Sequence, residues 1–136
     1  MTRQARSRGA YAASQRGTAA VEFALVLPIV LALVLALVQV GLLVRDRLLV
    51  ESAVRSGART AAVEPGDDAI RAAVLRAAPS LDPDAITVAT ARAGVRGDPV
   101  TVTVSYVAVV RVPFVKWLFP AGVSMQSVAT DRQEFT

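Results

Sequence analysis

Neither cysteine nor histidine occurs anywhere in the 136 residues. Their absence removes disulfides, thiol nucleophiles, imidazole bases and nearly every zinc or copper site. It does not fix a compartment, because an oxidising space permits disulfides without requiring them. Glycine-rich phosphate loops and recognisable paired-carboxylate motifs are also missing, and a Ser, acid and base constellation cannot be assembled without histidine. A non-enzymatic chain without cofactor or metal is the expectation. Lysine is almost absent too: of 15 basic residues, all but Lys116 are arginine, set against 11 acids and giving a net charge of +4. A nucleic-acid binder would gather such cations on one face beside stacking aromatics. Here Arg3, Arg6, Arg8 and Arg16 form the one unopposed cluster, directly before an apolar run. Phospholipid headgroups, not nucleic acid, are the expected anionic neighbours.

What the chain has in abundance is apolar length. From Phe23 to Val44 the only side chain with strong hydrogen-bonding needs is Gln39. At ~1.5 Å per residue such a helix covers roughly 33 Å, enough for a hydrocarbon core. A signal peptide would carry a shorter apolar region of ~7 to 15 residues before a small-residue cleavage site. Beyond Val44, Val50, Ala53, Val54, Gly57, Ala58, Ala61 and Ala62 continue at helical spacing, with Arg45, Glu51, Arg55 and Arg59 opposite. Glu51 and Arg55 stand in the favourable order for an i, i+4 pair. Met1 to Gly17 reads as a flexible basic leader. One helix is predicted from about Ala19 to Ala62, lipid-facing below and packed on a head above, ended by Pro65 and Gly66.

Asp67 or Asp68 is expected to cap a short helix through Ala77, with Ile70, Ala73, Val74 and Ala77 inward and Pro79 as its stop. Strands are predicted at Ile86 to Arg92, Val100 to Val112 and Gly122 to Asp131. Val107 and Val109 blur the alternation of the second, suggesting cover on both faces there. Phe114, Lys116, Trp117, Leu118 and Phe119 gather in a turn expected to lie against membrane, a neighbouring subunit or the base of the head. Arg96-Gly97-Asp98 spells an adhesion tripeptide but, with Pro99, sits between two strand signals and reads as a hairpin turn. Asp82 and Asp84 around Pro83 lack the ~6 to 8 oxygens that calcium requires and read as turn residues. The fold class is α+β: a long N-terminal helix on a small antiparallel sheet, pilin-like.

The most informative stretch is Gly17-Thr18-Ala19-Ala20-Val21-Glu22-Phe23, a Gly followed by Glu-Phe at the mouth of the apolar span. With the basic leader before it and the small-residue helix after it, this stretch resembles the processing site of Flp-type prepilins and TadE-like pseudopilins. The resemblance implies a minor pilin or pseudopilin of a Tad/Flp-type, type IV-related pilus, cut by a membrane prepilin peptidase between Gly17 and Thr18. It implies that residues 1–17 are removed, that 18–62 form the helix with a span at about 23–44, and that 63–136 form an extracytoplasmic head. It also implies that Glu22 meets the free amine of an adjacent subunit, lowering the cost of a charge near hydrocarbon. The simpler reading of Glu22 is a first-turn acid favoured by the helix dipole by ~0.3 to 1 kcal/mol. Partners would be membrane lipid, the peptidase, other pilin subunits and the Tad assembly platform, with the chain a single-pass protein of the bacterial inner membrane that enters the pilus.

Ala20, Ala24, Ala32 and Ala36, with Pro28 between, keep a slim stripe that either lets membrane helices approach closely or reflects alanine richness alone. Two features depart from major Flp pilins: Phe23 where those often have Tyr, and greater length. The length favours the TadE-like branch, and the lack of a long extra domain argues against its TadG-like relatives. Arg45, Arg47, Arg55 and Arg59 after the span balance the four arginines before it, so charge alone does not orient it. Two rivals are an uncleaved anchor displaying a binding head for another envelope or secretion complex, and a secreted hydrolase with a retained anchor.

Overall fold

Backbone geometry in the computed structural model is described for residues 5–110 and 122–134, with side chains from Thr18 on. The predicted knot from Phe114 to Phe119 lies outside the described residues. The chain divides into two compact units, Met1–Val38 and Gln39–Thr136. Helix α1, Ala5–Val63, contributes to both.

The helix begins well before the expected start near Ala19. Ala5, Arg6, Arg8, Ala10, Ala12, Ala13, Gln15 and Arg16 are favourable helix formers, and no proline precedes Pro28. Once the apolar segment is helical, each added residue avoids the nucleation cost, so weak propensity is enough to extend it backward.

In the second unit, α1 packs on α2 (Asp67–Ala77) and on the sheet. The predicted stripe of α1 is the buried face: Val50, Ala53, Val54, Ala58, Ala61 and Ala62 are all at most 4% exposed. Fully burying a Val or Ile side chain contributes about 1.5–3 kcal/mol, so Val50, Val54, Ile70 and Val74 dominate this contact. At Gly57 the layers approach closely. A Cβ built there would stand 2.8 Å from Val74 Cγ2 and 3.3 Å from Val102 Cγ1.

Helix α1 ends at Val63, before Pro65 and Gly66, and its terminal carbonyls are satisfied from several directions. The Glu64 amide donates to Thr60 O at 2.8 Å and the Glu134 amide to Ala62 O at 2.7 Å. Arg92 spans the corner, donating from Nη2 to Glu64 O at 3.3 Å and from Nη1 to Asp67 Oδ1 at 3.4 Å.

The expected cap of α2 is corrected: Gly66 is the N-cap, with no side-chain cap bond, and Asp67 and Asp68 occupy the first turn. There they complement the helix dipole. Ile70, Ala73 and Val74 are buried, whereas Ala77 is half-buried at the last turn. Glu51 pairs with Arg47 at 3.1 Å instead of forming the expected pair with Arg55. Helical side chains lean toward the N-terminus, which brings Glu51 toward the preceding turn.

Strands β1 (Ile86–Arg92), β2 (Pro99–Ala108) and β3 (Val123–Arg132) form an antiparallel sheet in the order β1-β2-β3. Val100, Val102, Val104, Tyr106 and Ala108 of β2 face the helices and are buried. The opposite face is crossed by the rows Ala91–Thr101–Thr130, Ala89–Thr103–Val128 and Thr87–Ser105–Gln126. Strand β2 is shorter than expected: it ends at Ala108, and Val109 and Val110 are not strand. Val107 and Val109 are 45% and 63% exposed, so the expected cover on both faces is absent there. Their β-branched character reflects fit to a pleated surface, which needs no second layer.

The turn over Arg96-Gly97-Asp98 is the β1–β2 connection, as expected. Asp98 Oδ2 accepts from the Val95 amide at 3.2 Å, and Gly97 supplies a φ of 90°. Asp82 is likewise a turn residue, capping the 3-10 turn Pro83–Ala85 by accepting from the Asp84 amide at 3.0 Å. The fold is therefore α+β, a long apolar N-terminal helix packed against a small three-stranded antiparallel sheet.

Candidate functional site

The first unit contains the residues selected by the motif. Thr18, Ala20, Glu22, Phe23 and Ala24 are exposed, and Ala32 and Ala36 are half-buried. Around them Val21, Leu25, Val26, Leu27 and Ile29 are each at least 48% exposed. A helix apolar on all sides and uncovered by protein is stable in lipid, not in water. Thr18–Val63 is long and apolar enough to cross a membrane, with a mean hydropathy of 2.9 over its most apolar window and none of that window buried.

Gly17 and Thr18 lie within continuous helix, not at its start. Glu22 therefore does not occupy a first turn, and the first turn of α1 holds no acid. The dipole explanation for Glu22 fails in the uncut helix, since that effect fades within one turn of the end. A helix beginning at Thr18 would bring Glu22 to about one turn from the end, the edge of that range.

Ala20, Ala24, Ala32 and Ala36 do not share one face. At 3.6 residues per turn a four-residue step overshoots by ~40°, so Ala20 and Ala36 differ by ~160° around a straight helix. Consecutive members still adjoin, and the row follows an inclined ridge of the kind that packs into a neighbour's groove. Pro28 lies within the helix and cannot donate to the Ala24 carbonyl.

At the start of the second unit, Gln39 is buried, 3% exposed, despite lying in the apolar run. It lines a cavity of about 210 Å³ with Leu42, Arg45, Asp46, Ser80 and Val109. Arg45 Nη2 donates to Ser80 Oγ at 2.9 Å across this space. The expected span therefore divides: through Val38 most of its large apolar side chains are exposed, whereas Gln39 and Leu43 pack within the folded unit. A lone amide in an apolar run was the available signal, but Ser80 and Val109, which share its cavity, lie far along the sequence.

The model of the TadE-like protein family matches residues 17–59. That stretch of the chain is TadE-like. The match begins at the motif glycine, takes in the exposed apolar helix and continues through most of the small-residue face that packs on the head. No curated protein and no solved structure matches the chain. The sheet and α2 lie beyond the matched residues.

Proposed function

We propose that the chain is a minor pilin or pseudopilin of a Tad/Flp-type pilus, held in the bacterial inner membrane by α1 with its head on the outer side. The TadE-like match across Gly17 and the exposed apolar helix carries this reading. A prepilin peptidase cuts between Gly17 and Thr18, and the mature helix then carries Glu22 as its fifth residue, about one turn from its end. The carboxylate pairs with the amine of an adjacent subunit, where neither charge is otherwise compensated near hydrocarbon. The Ala20, Ala24, Ala32 and Ala36 ridge supplies close helix contact during assembly. The chain performs no catalysis itself and takes no cofactor.

A second reading has one observation in its favour: unbroken helix through Gly17 offers no extended segment to a protease. On that reading the chain is an uncleaved anchor displaying its head to another envelope or secretion complex. Mass spectrometry of the N-terminus of membrane-extracted protein separates the two. Processing gives a chain beginning at Thr18, and Gly17→Arg leaves the full-length chain in the membrane. Full-length wild-type protein in a strain with an active prepilin peptidase refutes the processing step, as does normal trimming of the arginine variant.

A further inference from the structure

The cavity lined by Gln39 carries two opposite charges that do not neutralise each other. Arg45 and Asp46 both line it. They are neighbours in sequence, yet residues one apart on a helix do not face each other, and the two form no ion pair. Arg47, the next cation along α1, is taken by Glu51 at 3.1 Å. Arg45 donates to Ser80 Oγ at 2.9 Å, which uses one of its five N–H groups. Among the described residues, no hydrogen bond or ion pair reaches the Asp46 carboxylate.

The sequence places this pair where α1 leaves its apolar run. No ionisable side chain lies between Glu22 and Arg45. In a membrane the first charges after such a run sit at headgroup level, because ionisable groups deeper in hydrocarbon are costly. The cavity, about 210 Å³, is well above the ~10–15 Å³ that admits one water and below the ~300–1,000 Å³ of pockets for drug-sized ligands. That volume suits a polar headgroup and not a whole lipid. Leu42 and Val109, the latter 63% exposed, give the cavity an apolar wall.

We infer that the cavity seats the headgroup of one phosphatidylethanolamine from the leaflet on the head side, its phosphodiester on Arg45 and its primary ammonium on Asp46. Guanidinium binds phosphate oxygens through paired, charge-assisted N–H bonds, and an ammonium brings three donors to a carboxylate. The two-carbon link of ethanolamine keeps the two charges close enough for one cavity. A phosphatidylglycerol headgroup would satisfy Arg45 and leave Asp46 without a cation beside a second anion. Choline carries a positive charge but has no N–H to donate. The zwitterion with a primary ammonium satisfies both side chains, while Leu42 and Val109 lie against its apolar part. The inference rests on insertion of α1 and not on processing or pilus assembly, so its test is separate from theirs.

The full chain in detergent, stripped of native lipid, is mixed with equimolar phosphatidylethanolamine, phosphatidylglycerol and phosphatidylcholine carrying matched chains of distinguishable isotopic mass. Native mass spectrometry then counts retained lipid. One phosphatidylethanolamine should be held about tenfold above either competitor, the scale of one charge-assisted hydrogen bond. Arg45→Gln should lower that retention about tenfold, and Asp46→Asn should abolish the preference over phosphatidylglycerol. Arg59→Gln, exposed on α1 and outside the cavity, should retain both. Protease resistance of the head verifies folding, and Ser80→Leu, which puts apolar bulk beside Arg45, substitutes for Arg45→Gln if that variant fails the check. Glycerophosphoethanolamine and inorganic phosphate, each at the lipid's concentration, should leave no adduct; equal binding of either would assign the cavity to a soluble phosphate and overturn the lipid. Equal retention of the three lipids, full retention by a folded Arg45→Gln or Ser80→Leu, or an undiminished preference in Asp46→Asn also overturns the inference.

Discussion

Substituting Gly57 tests whether the approach of α1 to α2 and β2 sets the stability of the head. An alanine in a helix interior is favoured over glycine by about 1 kcal/mol, so propensity alone predicts stabilisation. The structure opposes this. The new Cβ would lie 2.8 Å from Val74 Cγ2, 3.3 Å from Val102 Cγ1 and 3.7 Å from Ile70 Cγ2. Carbon atoms prefer ~3.5–4.0 Å, so the first contact is short by roughly an ångström. Val74, Val102 and Ile70 are all fully buried, and valine has one stiff side-chain torsion, so the methyl cannot swing away. Either α2 moves outward or the core is strained, at about 1–3 kcal/mol. After subtracting the helical gain, Gly57→Ala should destabilise by about 1 kcal/mol, and Gly57→Leu by ~3 kcal/mol or more. For a head of this size, 1 kcal/mol lowers the melting temperature by ~4–8 °C. Full-length protein in detergent, followed by near-ultraviolet circular dichroism and protease resistance, gives the measurement. Val74→Ala removes the offending methyl, so the double variant should lose less than the sum of the two singles. An unchanged melting temperature in Gly57→Leu, or strict additivity of the pair, refutes the packing argument.

Gly122 has a φ of 77°, and a Cβ there would stand 2.7 Å from the Ala108 carbonyl oxygen; Gly122→Ala should therefore lower head stability by about 2 kcal/mol in thermal unfolding. Arg92→Met retains the aliphatic stem but loses the bonds to Glu64 O and Asp67. With the Asp67 side chain 79% exposed, the ion pair contributes little, and a loss of about 1 kcal/mol is expected, insensitive to added salt. Glu22→Leu should enter the membrane and still be cut after Gly17 yet fail to support piliation, because an unpaired amine near hydrocarbon costs several kcal/mol, ~3–5 for a broken buried pair. Membrane fraction, N-terminus and surface pili are measured together in a strain lacking the native copy, and wild-type piliation would remove the pairing role.

Local patterns were legible where periodicity and burial agree. The stripe from Val50 to Ala62 is the core face of α1, and the alternation from Val100 to Ala108 is the core face of β2. Proline and glycine marked the end of α1, and Gly97 with Asp98 marked the hairpin. Features decided by competition between neighbours were not legible. Glu51 has arginines one turn away on either side, and spacing alone does not say which it meets. Gln39 looked like an isolated polar residue in a span because the cavity it lines is shared with Ser80 and Val109, far along the chain. The start of α1 was misplaced because the leader's lack of apolar periodicity says nothing about propagation from a helix already formed. Within the motif, sequence placed Glu22 five residues after Gly17 but could not show that an uncut helix denies it a first turn.

The continuity of α1 through Gly17 and the proposed cleavage there are compatible on energetic grounds. Residues from Ala5 to Gly17 make up a segment of about a dozen residues, a length at which an isolated helix in water is marginal. Gly9 and Gly17 each weaken it by ~1 kcal/mol relative to alanine, and no acid in its first turn offsets the dipole. Neither glycine adds a side chain that packing could hold in place. Opening this end therefore costs little, whereas the apolar helix beyond Phe23 is kept closed by lipid, where every freed backbone group is penalised. The Gly17–Thr18 bond lies on the easily opened side, shortly before the firmly held helix. A protease that requires extended backbone would find it there by local unwinding alone, and after cutting, the remaining helix would start with Glu22 one turn from its end. The same carboxylate that has no dipole to complement in the intact chain acquires one, together with a new amine, in a single step.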